Sequence, residues 1–227
     1  MSLFAIGDTH LSLSCEKPMD IFKGWDNYTN RLSENWSRVV GQDDTVVIAG
    51  DVSWAMTLKE AKKDFEFINA LPGKKLLLKG NHDYWWGTLS KMNEFNKENG
   101  FHSISFIHNN AYLVGEFAVC GTRGWFYDDA EPDEKILQRE AGRLKTSISA
   151  AKKTGGMPIV FLHYPPVNEF VVCKEILNVL KEEDIKYCYF GHLHGFVSSM
   201  NARFNYDGIQ FELISADYLK FSPKLIK

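Results

Sequence analysis

Short apolar blocks punctuate this chain, and each stops on a glycine or a polar side chain. Residues 2–7, 45–49, 75–79, 159–162 and 187–190 form five such runs. They are too short for helices and too uniformly apolar for half-exposed strands, so they predict buried strands. Between them the period changes to that of a helix. Tyr28, Leu32, Trp36 and Val39 share one face of a helix over 27–40. Thr57 and Glu60 form a capping-box pair opening a helix that runs to residue 70, and Gly73 ends it. Thr88 caps a helix over 88–99, and further helices are predicted over 133–151, closed by Gly155-Gly156, and over 172–183. Residues 104–120 read as strands with Asn109-Asn110 as a hairpin turn. The tail reads as a second hairpin, pairing 197–200 with 209–214 about Asn205-Tyr206-Asp207-Gly208. Alternating strands and helices followed by hairpin-like strands predict a layered α/β sandwich with a mixed sheet.

At 227 residues, 44% of them hydrophobic, the chain is expected to form a single domain with a large core. A formal net charge of −3 without a polybasic run argues against a protein held on nucleic acid or membrane by a basic surface. Cys15, Cys120, Cys173 and Cys188 contain no C-x-x-C pair and read as free thiols of a reducing compartment. The first strand begins almost at Met1, leaving no leader pattern, and no apolar stretch is long enough to span a membrane. A cytoplasmic protein is expected.

The residues that terminate the apolar blocks are of one chemical kind. The first block leads into Asp8-Thr9-His10, the second into Asp51 and the third into Asn81-His82-Asp83. The fourth leads into His163 and the fifth into His192-Leu193-His194. Buried parallel strands deliver ligands and chemistry at their carboxyl ends. Five of the chain's seven histidines therefore converge on one candidate crevice. In Asp8-Thr9-His10 and in His192-Leu193-His194 the outer residues share a face of an extended segment and can reach one ion. D-x-H and H-x-H are common accidents taken singly; the ordered set is not.

That set, D-x-H, G-D, G-N-H-D, a lone His after an apolar strand, then G-H-x-H, resembles the calcineurin-like metallophosphoesterases over residues 8–194. The resemblance implies a four-layer sandwich of two mixed β-sheets flanked by helices. It implies that Asp8, His10 and His194 hold one metal, that Asn81, His163 and His192 hold another, and that Asp51 bridges both. His82 would protonate the leaving oxygen. Gly7, Gly50, Gly80 and Gly191 fit tight turns that present these ligands.

The chemistry is coherent on physical grounds. Carboxylate, imidazole and amide donors suit two divalent first-row ions such as manganese, iron, zinc or nickel. Two such cations against two carboxylates leave a positive site for a phosphate anion, and a water shared between them can lose a proton near neutral pH. No G-x-S-x-G nucleophile motif occurs. The expected activity is hydrolysis of a small phosphomonoester or phosphodiester, with a nucleotide-like substrate among the candidates. Two alternatives are a nuclease acting on nucleic-acid ends and a non-catalytic protein-binding scaffold of the same fold.

Protein phosphatases of this superfamily carry an Asp and an Arg where this chain has Trp54 and Ala55. Asp83 could replace the Asp that pairs with the catalytic His, or could cap its own turn. Arg123 could replace the Arg as a phosphate contact, or form a structural ion pair. Trp25, Trp54, Trp85, Trp86 and Trp125 could form an aromatic rim for a base or aryl group, or simply pack the ligand loops. His102 and His108 receive no role.

Overall fold

The computed structural model describes residues 1–125, 133–168, 172–195 and 202–226. The apolar blocks form parallel strands as expected. β1 (Leu3–Ile6), β2 (Thr45–Ala49), β3 (Lys74–Leu78) and β4 (Ile104–Phe106) lie side by side and parallel, and β11 (Lys224–Leu225) adds antiparallel to β1. A second sheet has the order β5 (Ala111–Val114), β6 (Phe117–Thr122), β7 (Met157–Leu162), β8 (Tyr187–Phe190), β10 (Ile209–Leu213), β9 (Arg203–Tyr206). Its four central strands are parallel, and β5 and β9 close its edges as antiparallel hairpins.

Both faces of each sheet are covered, which is why the strands are apolar at consecutive positions rather than at alternate ones. Leu3, Ala5, Val47, Ala49, Leu76 and Leu78 face the other sheet, where Val119, Ile159, Phe161 and Tyr189 meet them. Phe4, Ile6, Val46, Ile48 and Leu77 face outward. There they meet α1 (Tyr28–Val39), α2 (Lys62–Ala70) and α3 (Leu89–Asn99). The outer face of the second sheet is covered by α4 (Glu134–Lys153) and α5 (Lys174–Glu182). The result is four layers, helices on sheet on sheet on helices, as the resemblance implied.

Side-chain caps form where the sequence places them. Thr88 Oγ1 accepts from Lys91 N–H, and Asp133 Oδ1 accepts from Lys135 N–H. Half of the capping box at Thr57 and Glu60 forms: Thr57 Oγ1 accepts the N–H of Glu60 at 3.3 Å, but Glu60 Oε2 accepts the N–H of Met56, at 2.9 Å, rather than that of Thr57. It opens a turn, however, and regular helix begins only at Lys62.

Three expectations change. Asn109-Asn110 does not turn a hairpin: β4 and β5 lie in different sheets, and these residues carry the chain across. Asn110 fastens the crossing, its Nδ2 donating to Phe106 O and its Oδ1 accepting from His108 N–H. The hairpin turn falls instead at Gly115, in the left-handed region at φ +59°, between β5 and β6. In the tail, Asn205 and Tyr206 belong to β9 and the turn is at Asp207-Gly208; the 197–200 strand proposed from sequence lies outside the described residues. Finally, Val172 pairs with Val167 instead of starting α5, and Val39 is exposed while Val40 takes the core position.

Phe65 of α2 is fully buried, with the rings of Trp85, Phe95, Phe101 and Phe106 within 5.0–6.3 Å. Replacing it by Ala leaves a cavity among rigid rings that cannot collapse around it. Phe65→Ala should lower the unfolding free energy by about 3–5 kcal/mol, read as a drop in the urea midpoint with little change in slope.

Candidate metal centre

Every motif sits where a strand gives out, and each Asp is bound by a neighbouring loop. Asp8 accepts the N–H of His192 on both oxygens, at 2.9 and 3.0 Å. Asp51 Oδ1 accepts the N–H of His82 at 2.8 Å. Main-chain bonds run between the first two loops as well, from Asp8 N to Gly50 O and from His10 N to Asp51 O, both 2.9 Å. Gly7 and Ala216 bond across from the first sheet to the end of the second, so the two sheets are stitched together at the site.

The side chains fall into two groups. Asp8, His10 and His194 each offer a donor atom within 4.8 Å of the others, and so do Asp51, His163 and His192. Asn81 joins the second group: its Oδ1 lies 2.6 Å from His163 Nε2 and 3.1 Å from His192 Nδ1. A single atom, Asp51 Oδ2, stands 3.7 Å from His10 Nε2 in the first group and 3.4 Å from His163 Nε2 in the second. The seven positions singled out from sequence are thus brought together in two clusters with Asp51 between them. Two imidazole nitrogens, His10 Nε2 and His194 Nε2, face one another at 3.0 Å. Such convergence of lone pairs fits a cation.

Electrostatics say the same. Burial raises the carboxyl of Asp8 to about 6. Burial, with the charges of Asp83 and Asp8, raises Asp51 to about 9. Burial also holds His10 and His163 well below the usual imidazole range, so both present neutral lone pairs. Two divalent ions would reverse the penalty on the carboxylates and use the imidazoles as they are. The residues present therefore fit a dinuclear divalent site.

Other groups hold the ligands in place. His163 Nδ1 lies 3.1 Å from Ala49 O, an arrangement that turns Nε2 toward Asn81. His194 Nδ1 lies 3.3 Å from Asp217, which also takes the N–H of Gly195 at 2.8 Å. Burial would lower the pKa of His194, but the bond to Asp217 and the charges of Asp8 and Asp217 raise it. His10 Nδ1 is buried with no hydrogen-bond partner, and its ring is held by packing instead, stacked on Trp54 at 4.9 Å and edged by Trp25 at 5.8 Å.

Asp217 was missed from sequence because it follows no apolar run and belongs to no motif. Asp64 was missed likewise. It is buried on α2, accepting from Leu13 N–H and Ser53 Oγ and tying the first two ligand loops to that helix. Only a fold that brings distant segments together reveals either.

Asp83 neither pairs with His82 nor serves only its own turn. Fully buried, it accepts from the N–H groups of Val52, Ser53 and Gly80 and from Trp85 Nε1. It locks the second ligand loop to the third. His82 is half-buried, its ring 4.2 Å from that of Trp54, with the Tyr84 hydroxyl 3.5 Å from Nδ1 and Asp51 Oδ2 4.0 Å from Nε2. Trp25 and Trp85 are core residues rather than rim, whereas Trp54, Trp86 and Trp125 are partly buried. Arg123 lies over Trp125 at 4.7 Å, and its carbonyl accepts the N–H of His163 at 3.1 Å.

The glycines act mostly by closeness rather than by turning. A Cβ on Gly80 would fall 2.1 Å from Asp51 N and Oδ1, and one on Gly191 would fall 2.5 Å from Asp8 Oδ2. Of the four glycines expected to turn, only Gly50 is left-handed, at φ +89°. The ligands bear the strain themselves: Asp8, His10, Asp51 and His192 have φ between +43° and +70°.

A family model for calcineurin-like phosphoesterases matches residues 1–196. The chain belongs to the calcineurin-like phosphoesterase family. An uncharacterised protein of Methanocaldococcus jannaschii is 29% identical over 112 residues, 47% of this chain and 58% of its own length. The chain thus matches little more than half of that curated relative. Among solved structures, a protein of unknown function from Aquifex aeolicus superposes with a TM-score of 0.52 at 18% identity, covering 98% of this chain and 94% of its own. The phosphopantetheinyl hydrolase of Mycobacterium tuberculosis gives a TM-score of 0.51 at 12% identity, covering 94% and 88%. At these identities the two structures share the fold alone.

Two measurements test the site. Asp217→Asn removes the charge behind His194 but keeps its shape, and should weaken metal binding at the Asp8, His10 and His194 cluster by about 10–100-fold in a competition titration, with the unfolding midpoint little changed. The raised carboxyl of Asp51 makes a pH prediction. Above neutral pH the unfolded chain has already released this proton, while the fold holds it up to about 9. In chelator, wild type should therefore lose stability relative to Asp51→Asn as the pH rises from 7 to 9. Thermal unfolding of both proteins across that range measures the difference, and metal loading should abolish it.

Proposed function

We propose that the protein is a metal-dependent phosphoesterase that hydrolyses a small phosphomonoester or phosphodiester. The observation that carries this reading is the pair of donor clusters joined through Asp51 Oδ2, with His82 beside them. In it Asp8, His10 and His194 hold one ion, Asn81, His163 and His192 the other, and Asp51 both. Two divalent cations there, manganese, iron, zinc or nickel, would supply positive charge to attract the phosphate anion and would lower the pKa of water so that a hydroxide nucleophile is available near neutral pH.

The chain's own residues do the rest. Asp51 sets the spacing of the two clusters, and its N–H bond from His82 keeps that residue at the same loop. His82 is the proposed general acid. Burial lowers its pKa, as do the charges of His194 and Lys17, so the acid role falls to the minor, protonated form of the ring at neutral pH. In place of a carboxylate partner, His82 has the ring of Trp54 against it and the hydroxyl of Tyr84 near Nδ1. An acid held this way suits transfer to an alkoxide or aryloxide as it departs. The four free thiols fit a reducing compartment, and the proposal places the enzyme in the cytoplasm.

His82→Ala separates this role from metal holding. Metal content should stay at the wild-type level, and turnover should fall by roughly 10²–10⁴ with an alkyl phosphate. With nitrophenyl phosphate the loss should be smaller, because nitrophenolate leaves with little help from a proton. An equal loss across a series of leaving groups, or loss of metal, would count against the general-acid assignment.

A further inference from the structure

A cavity of about 400 Å³ is lined in part by residues tied to the candidate ligands Asn81 and His163 through the backbone. Its walls come from three places. Lys79 directly follows β3, two residues before Asn81, and Arg123 directly follows β6, its carbonyl holding the backbone of His163. Opposite them α4 presents Arg139 and Arg143 from one face, with Glu140 beside them. Trp86 supplies an aromatic wall.

The charges do not balance. Four permanent cations line the cavity against one carboxylate, in a chain whose net charge is −3. That carboxylate is engaged, accepting from Thr122 Oγ1 at 2.9 Å and pairing with Arg143 at 2.5 Å. Among the described residues, Lys79, Arg123 and Arg139 form no ion pair. Lys79 and Arg123 are partly buried and Arg139 and Arg143 exposed, so the recess presents positive charge to solvent that an anion would offset. Guanidinium groups favour a tetrahedral or planar oxyanion, which takes two N–H bonds from each fork.

We propose that this cavity is a second anion subsite, holding a phosphate-type group of the substrate that is not the one cleaved. Resting on the phosphoesterase reading above, this names the substrate class: phosphoesters that carry a second anionic group, one end at the metals and the other among Arg123, Arg139 and Lys79. Arg123 thereby serves the distant anion rather than the scissile phosphate.

The test uses the metal-loaded full chain and the variants Arg123→Gln/Arg139→Gln and Lys79→Gln, each checked for an unchanged unfolding midpoint. Calorimetric titration with inorganic phosphate should give two equivalents bound to wild type and one to the double variant. In kinetics, α,ω-alkanediol bisphosphates are compared with the matching monophosphates. The preference in kcat/KM for the bisphosphate should fall about 10-fold or more in the double variant, and less in Lys79→Gln. Two equivalents of phosphate bound with unchanged affinity in both variants would overturn the subsite. Loss of one equivalent with an unaltered bisphosphate preference would overturn the substrate assignment, leaving the cavity as a site for free anion. If no ester were hydrolysed at all, the phosphoesterase reading would fall, while the phosphate count would still decide the subsite.

Discussion

Three buried carboxylates, Asp8, Asp51 and Asp83, hold this site together, and each does so by accepting backbone N–H groups from a different loop. Asp8 in the first loop takes the N–H of His192 in the last. Asp51 in the second takes that of His82 in the third, and Asp83 in the third reaches back to Val52 and Ser53 in the second. Bonds between a charged acceptor and buried N–H donors are among the stronger ones in a protein, and they have direction as well as strength. The loops are therefore cross-braced by the same class of group that would meet the metal. Building a site this way is costly in the free chain, since burial pushes all three carboxyl groups up, to about 6, 9 and 6.

Backbone geometry adds to that cost. Left-handed φ at Asp8, His10, Asp51 and His192 would normally be given to glycine, but a glycine has no ligand to offer. Instead glycines occupy the neighbouring positions, where Gly80 and Gly191 leave room for Asp51 and Asp8 to approach main chain directly. Strain is tolerated at the ligands because the sheets beneath them are rigid and are stitched to each other at Gly7.

The aromatic residues divide by the same logic. Trp85 donates its indole N–H to Asp83, while Trp54 packs on both His10 and His82. The Trp54 ring orients both imidazoles by contact without adding charge. Trp86 and Trp125 stand further out, one in the wall of the basic cavity and one beneath Arg123. Two kinds of surface thus adjoin: an aromatic floor under the acid and a cationic recess beyond it.

Strand and helix order and the two-sided burial of the strands were legible in the sequence because each is written locally, and the order of motifs at the strand ends pointed to the seven side chains that cluster here. A strand buried on both faces must be a continuous apolar run, and a ligand at its carboxyl end must interrupt that run. Where a reading needed partners distant in sequence, only the tertiary structure could supply them. Asn109-Asn110 has the composition of a hairpin turn, and its own residues cannot say that the next strand joins another sheet. Asp83 sits beside His82 in sequence but divides its oxygens between Gly80 in its own loop and Val52 and Ser53 in the loop of Asp51, a link only the fold creates. Asp217 and Asp64 carry no motif, and their roles exist only because folding places them behind His194 and Ser53. The cationic cavity is assembled from β3, β6 and α4, residues up to 64 positions apart along the chain, so no local pattern announces it. The chain's local periodicities determined which residues could be ligands; long-range packing decided what holds them.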